Sequence, residues 1–238
     1  MKFPKIHWQS RGFLALFLCI VAIACKPYLY AAEAPTVIAA PEIDNPKAKG
    51  SLQTAVFSGG CFWGVQGVFE HVRGVRKVVS GYAGGDKASA QYETVSSGTT
   101  GHAESVQISF DPAEVSYGEL LQIFFSVAHD PTQLNRQGPD TGTQYRSAIF
   151  YTDNSQKNIA QAYIGQLDKS HAYPHDIVTA VGSFKGFYPA EDYHQDFLIN
   201  HPSHPYIVRN DLPKIENLKR LFPNNYRGQP VTVAGGLG

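Results

Sequence analysis

The sequence predicts an α+β fold, a single compact domain with helices packed on a mixed β-sheet. Three observations predict it. Strand-like and helix-like periods both occur between Thr54 and about Phe222. They do not follow a strict βαβ rhythm, and no internal repeat or second linker divides them. With 238 residues, 43% of them apolar, the chain can bury one sizeable core and is too apolar for a disordered protein.

The elements follow in order. Thr54–Ser58 reads as a short strand ended by Gly59-Gly60, and from Cys61 to about His71 the residues Phe62, Val65, Val68, Phe69 and Val72 recur at helical spacing. Val75–Tyr82 is strand-like and runs into Gly84-Gly85. Glu104–Phe110 alternates, with Val106, Ile108 and Phe110 on one face, and Asp111-Pro112 stops it. Ser116 and Glu119 form a capping box that opens a helix through Leu120, Leu121, Phe124, Phe125 and Ala128. Tyr145–Tyr151 predicts a strand, Asn154–Lys169 an amphipathic helix, and Ile177–Phe184 a β-branched strand. Ala190–Ile199 and Pro213–Leu221 predict two further short helices.

The ends read differently. Lys2, Lys5 and Arg11 precede 14 uncharged residues, Gly12 to Cys25, which is the pattern of an export signal and is short for a membrane span. Ala22-Ile23-Ala24-Cys25 resembles a lipobox lacking its usual Leu; cleavage near Ala31 or Ala32, or an uncleaved anchor, stand as alternatives. All three place the folded part in the periplasm or on a membrane facing outside the cytoplasm. Residues 1–25 are therefore assigned to the signal, 26–50 to a Pro/Ala-rich linker, 51–222 to the functional domain and 223–238 to a tail without cysteine.

The whole chain balances 20 basic and 20 acidic side chains, and without residues 1–25 it holds 17 basic against 20 acidic. That excludes the basic excess of a nucleic-acid binder. Of three cysteines, only Cys61 lies in the folded part. A lone thiol in an oxidising compartment is a buried small hydrophobe or a reactive group. Cys61 follows two glycines at the start of a helix, where free N–H groups and the positive dipole end favour a thiolate. Phe62 and Trp63 beside it offer an aromatic wall for an apolar substrate group.

Glu104 shares the face of Val106, Ile108 and Phe110, so burial should raise its pKa and keep it protonated, unless it escapes to water at the strand's start. The Gly- and Pro-rich loop Arg136–Arg146 holds Asp140 and Tyr145, which fit either function or turn and core roles. His194, His201 and His204 lack recognisable metal-ligand spacing, so no metal is expected.

Several ordered motifs then resemble one family. GGCFWG at 59–64, GYAGG at 81–85, QYETVSSGTTGHAE at 91–104, HDPTQLNRQGPDTGTQYRSAIFY at 129–151 and AEDYHQDF at 190–197 are similar to peptide methionine sulfoxide reductases of the A type. The resemblance spans about residues 54–222 and implies a compact α+β roll of the ferredoxin-like kind. It implies Cys61 as nucleophile, Phe62 and Trp63 as the pocket for the substrate's S-methyl group, and Glu104 as the acid. It further implies Tyr92 and Tyr145 as hydrogen-bond partners of the sulfoxide oxygen, and Asp140 as an aspartate linked to the pocket through water. The implied reaction reduces the S epimer of methionine sulfoxide, free or in proteins, through a Cys61 sulfenic acid, with no bound cofactor.

The tail departs from a common pattern of the family, since positions 62–238 hold no resolving cysteine. The expected cycle therefore uses one cysteine and an external reductant: a thioredoxin-like protein, a glutaredoxin or a small thiol. A monomer is expected. Two rival readings are another thiol enzyme (a hydrolase or peroxidase using His102 or His194 as base) and a module that binds oxidised methionine without turnover.

Overall fold

The computed structural model describes Met1 and residues 33–233, so all of the expected export signal but Met1 lies outside the described residues. The strands are β1 (Gln53–Gly59), β2 (Val75–Ala83), β3 (Ala103–Phe110), the two-residue β4 (Arg136–Gln137) and β5 (Asp140–Thr141), β6 (Ser147–Tyr151), β7 (Ala180–Ser183) and β8 (Phe187–Pro189). The helices are α1 (Phe62–Glu70), α2 (Tyr92–Val95), α3 (Tyr117–Ile123), α4 (Asn154–Lys169), α5 (Phe197–Asn200) and α6 (Leu212–Leu221). Six strands form one sheet in the order β7-β6-β1-β3-β2-β8, with only β6 and β7 parallel; β4 and β5 form a separate hairpin. The fold is α+β with a mixed sheet.

β3 carries the expected alternation, and Val106, Ile108 and Phe110 are fully buried. Its other face is partly covered as well, because β3 is central: Ser105 is buried and its hydroxyl meets Ser58 Oγ at 2.7 Å. Helix α1 lays Val65, Val68 and Phe69 into the core. Burying each such side chain contributes about 1.5–3 kcal/mol. The capping box forms as predicted: Ser116 Oγ accepts the Glu119 N–H at 3.1 Å, and Glu119 Oε2 accepts the Ser116 N–H at 2.8 Å. Asp153 caps α4 by accepting the Gln156 N–H at 2.9 Å.

Three expected elements differ. Tyr145 ends a 3-10 turn, Thr143–Tyr145, and the strand begins at Ser147. The stretch Ile177–Phe184 is reduced to the four residues of β7. Ala190–Ile199 is broken into a 3-10 turn, Asp192–His194, and α5. The break has a local cause: the Gln195 amide pairs with the edge of β2 like a strand, accepting the Ser80 N–H and donating to the Ser80 carbonyl, both at 2.9 Å. That pairing holds Gln195 extended, and Asp196 then reverses the chain at φ 54°.

The described part of the Pro/Ala-rich stretch, residues 33–50, contains no helix or strand, yet it is no loose tether. Thr36 exchanges bonds with Ser126, Gln122 donates to the Ile38 carbonyl, and Tyr163 donates to the Ala39 carbonyl at 2.7 Å. Asp44 accepts from the Ser116 hydroxyl and from the Gly118 N–H at the start of α3. These residues form a strap over α3 and α4. The tail is likewise attached: Tyr226 bridges to Val72, and the Val231 N–H donates to the Glu70 carbonyl at 3.0 Å.

Candidate active site

The turn after β1 fixes the position of Cys61. Gly60 adopts φ 87°, and a Cβ there would sit 2.5 Å from the Gln137 side chain, so glycine lets the β4–β5 hairpin close against the turn. Cys61 is then the N-cap residue of α1. Next to it, the Phe62 N–H donates to Glu104 Oε2 at 3.0 Å. The first helical N–H thus binds the carboxyl of the central strand, which couples Cys61 to Glu104 through one backbone step.

Glu104 is 3% exposed. Burial pushes its carboxyl up to about 8, the Phe62 N–H pulls the other way, and Asp140 adds to the rise. The expected thiolate is not a property of the resting site. Burial pushes the Cys61 thiol well above its ordinary value, the charges of Glu104, Asp211 and Asp140 add to that, and the Trp63 backbone N–H only partly opposes it. A helix N-terminus stabilises an anion by a fraction of a charge, and here burial and three neighbouring carboxyl groups oppose it.

Tyr92 and Tyr145 converge on the same place. Burial raises both phenol pKa values, and the charges of Glu104 and Cys61 raise them further, so both hydroxyls remain donors. Asp140 accepts from the Tyr206 hydroxyl; burial raises its pKa against the pull of that bond and of Lys214. Phe62 is 1% exposed and packs between Tyr82 and His194, while Trp63 is partly exposed and stacks on Phe197 at 3.8 Å between ring centroids. The Trp63 indole N–H donates to His194 Nδ1 at 3.1 Å, and its ring meets Tyr206 edge-on.

His102 and His194 are each held by hydrogen bonds. His102 Nδ1 accepts the Gly85 N–H and its Nε2 meets the Asp86 carbonyl, so neither nitrogen is free to act as a base for Cys61. His194 is tied to Trp63, and burial lowers its pKa. Among the described residues no group of three or more His, Cys, Asp or Glu side chains is placed to hold a metal.

A sequence model of the peptide methionine sulfoxide reductase family matches residues 53–226. A protein of that name from Mesorhizobium japonicum is 64% identical over 191 residues, covering 80% of this chain and 97% of its own. Another from Synechocystis is 55% identical over 197 residues, covering 81% and 92%. Among solved structures, methionine sulfoxide reductase A of Corynebacterium diphtheriae superposes with a TM-score of 0.56 at 30% identity, covering 72% of this chain and 89% of that one. This chain belongs to the peptide methionine sulfoxide reductase family.

For a reductase of this family, the sequence reading missed one wall of the site. A small cavity beside Cys61 is lined by Glu33, Gln137, Gly138, Pro139, Tyr206, Asn210 and Lys214. Glu33 belongs to the strap and is reached from Asp130 N–H and from the Gln133 and Gln137 amides. Asp211 and Lys214 stand three apart at the start of α6, a spacing that reads as an ordinary exposed pair. Only the Asp before Leu-Pro, where a helix opens, was a usable sign. Glu191, which accepts the Tyr92 N–H and the Tyr82 hydroxyl, both at 2.9 Å, was also missed as a support of the site.

Proposed function

We propose that this reductase returns methionine-S-sulfoxide, free or within proteins, to methionine by a one-cysteine cycle. The observation that carries this reading is the buried Glu104 carboxyl held to the N–H next to Cys61. A sulfoxide sulfur is a weak electrophile until its oxygen is protonated. Glu104, protonated at neutral pH, supplies that proton, and the Tyr92 and Tyr145 hydroxyls hold the oxygen. The Cys61 sulfur bonds to the substrate sulfur; the protonated oxygen then passes to Cys61 as that sulfur–sulfur bond and the S–O bond both break, which releases methionine and leaves a Cys61 sulfenic acid. Glu104 takes up the proton that Cys61 loses. Phe62 and Trp63 supply the apolar surface for the S-methyl group.

The absence of cysteine from positions 62–238 supports direct attack by an external thiol on the sulfenic acid. That step forms a mixed disulfide and water; a second thiol then releases Cys61 and leaves as a disulfide. A thioredoxin-like protein, a glutaredoxin or a small thiol fits this role. The charge-free run before Cys25 supports export, with the reductase facing outside the cytoplasm as a lipoprotein, an anchored protein or a soluble monomer.

The test is turnover of a methionine sulfoxide peptide of mixed epimers with excess dithiol. The protein should consume one epimer repeatedly, Cys61→Ser should consume none, and Cys25→Ser should match the parent. Loss of turnover in Cys25→Ser would replace the one-cysteine cycle with an internal disulfide, and failure to reduce either epimer would sink the reductase reading.

A further inference from the structure

The reaction needs an anion at a sulfur that the site makes hard to ionise. The carboxyls of Glu104, Asp140 and Asp211 all disfavour a charged Cys61, and Tyr92, Tyr145 and Tyr206 face it as neutral phenols. One cation among the described residues shares its cavity: Lys214, on α6, 7% exposed. Its Nζ lies 3.4 Å from Asp211 Oδ1, and Asp211 is fully buried. This pair stands against the first turn of α1. A Cβ on Gly64, three residues after Cys61, would collide with Asp211 Oδ1 and lie 3.1 Å from Lys214 Nζ. The last glycine of the GGCFWG run thus makes room for a buried ion pair beside the nucleophile.

Such a pair is not an economical way to stabilise a fold. Desolvating two charges offsets most of their attraction, and apolar replacements often serve as well. Here neither Asp211 oxygen makes a well-formed hydrogen bond, which leaves the carboxylate's grip on Lys214 incomplete. Burial disfavours the Lys214 ammonium, yet the charges of Asp211, Glu33 and an ionised Cys61 outweigh it and leave lysine charged. Burial pushes Asp211 up to about 6 against the pull of Lys214, with Asp140 and Glu33 adding to the rise.

We propose that Lys214 is the buried counter-charge of the Cys61 sulfur, and that Asp211 positions it and competes for it. The inference rests on the reductase reading for its purpose. Its test does not, because alkylation of Cys61 needs no sulfoxide.

The experiment measures the rate of Cys61 alkylation against pH in the full chain carrying Cys19→Ser and Cys25→Ser, using neutral iodoacetamide and anionic iodoacetate. Lys214→Met should move the midpoint upward by about one pH unit, slowing iodoacetamide about tenfold at neutral pH. It should slow iodoacetate more, because the cation that attracts the reagent is gone. Asp211→Asn should move the midpoint downward, since it removes a carboxylate and frees the lysine, and Lys214→Arg should stay near the parent. Opposite shifts are the signature that mere loss of packing would not produce. Should Lys214→Met fail to fold around an unpaired Asp211, the double variant Asp211→Asn/Lys214→Met removes both charges of the pair, and its midpoint should lie above that of Asp211→Asn. Equal midpoints in those two, or shifts of the same sign in the two single variants, would overturn the proposal.

Discussion

Two glutamates stand beside neighbouring tyrosines and have opposite fates. Glu104, on central β3 beside Tyr82 of β2, has one N–H for a partner and is buried, so its carboxyl is pushed up to about 8. Glu191 is only partly buried; burial alone would raise its pKa, but the Tyr92 N–H, its own backbone N–H, the Tyr82 hydroxyl and His194 outweigh that and hold it below the usual range. One carboxyl keeps a proton to give; the other keeps a charge with which to hold the backbone of Tyr92. The difference teaches that the number of donors at a carboxyl, set against its burial, decides whether it does chemistry or scaffolding.

Removing the proton is the largest break in this comparison. Glu104→Gln keeps the volume and an acceptor for the Phe62 N–H but cannot protonate the sulfoxide. Turnover should fall by about 10²–10⁴-fold, the range of general acid catalysis. Alkylation of Cys61 should persist, since the thiol remains and a neutral amide replaces a carboxyl that is protonated at neutral pH. A Glu104→Gln enzyme with near-parental turnover would assign the proton to another group. In the parent, turnover should decline as pH rises through about 8, because the acid is then ionised.

The same pKa makes a second prediction, about stability. Glu104 holds its proton to about pH 8 when folded and to about 4.3 when unfolded. Between those values the folded state binds more protons, so this group makes stability fall as pH rises through that window. Glu104→Gln should remove that decline, and its Tm relative to the parent should rise from pH 5 to pH 8. A parallel pair of Tm curves would mean that Glu104 ionises freely in the folded state.

The halves of the site differ in how far the sequence exposed them. Glu104 was legible because β3 alternates and places it on the face of Val106, Ile108 and Phe110. Cys61 was legible because glycines, a strand and a helical period surround it. Local pattern carries that much. Glu191 sits where a helix was expected and a side chain of Gln195 breaks it, which no period announces. Asp211, Lys214 and Glu33 reach Cys61 only through tertiary closure of α6 and the strap, from more than twenty residues away in sequence. Pattern in sequence reports which face an element buries, and long-range packing decides what meets it there.

The smallest prediction sharpens the scaffold half of the comparison. Glu191 uses Oε1 for the Tyr92 N–H and Oε2 for the Tyr82 hydroxyl, and Glu191→Gln keeps one acceptor oxygen for the two donors, so one bond is lost and the other weakens, because a charged acceptor is about twice as strong as a neutral one. Stability should drop by about 1 kcal/mol. Turnover should fall by only a few-fold, mainly through KM, because in the proposed reaction Tyr92 holds substrate oxygen while Glu104 still protonates it. The pH at which turnover declines should stay at the Glu104 value. A shifted pH profile would mean that the two carboxyls titrate as one system, and the division between chemistry and scaffold would then fail.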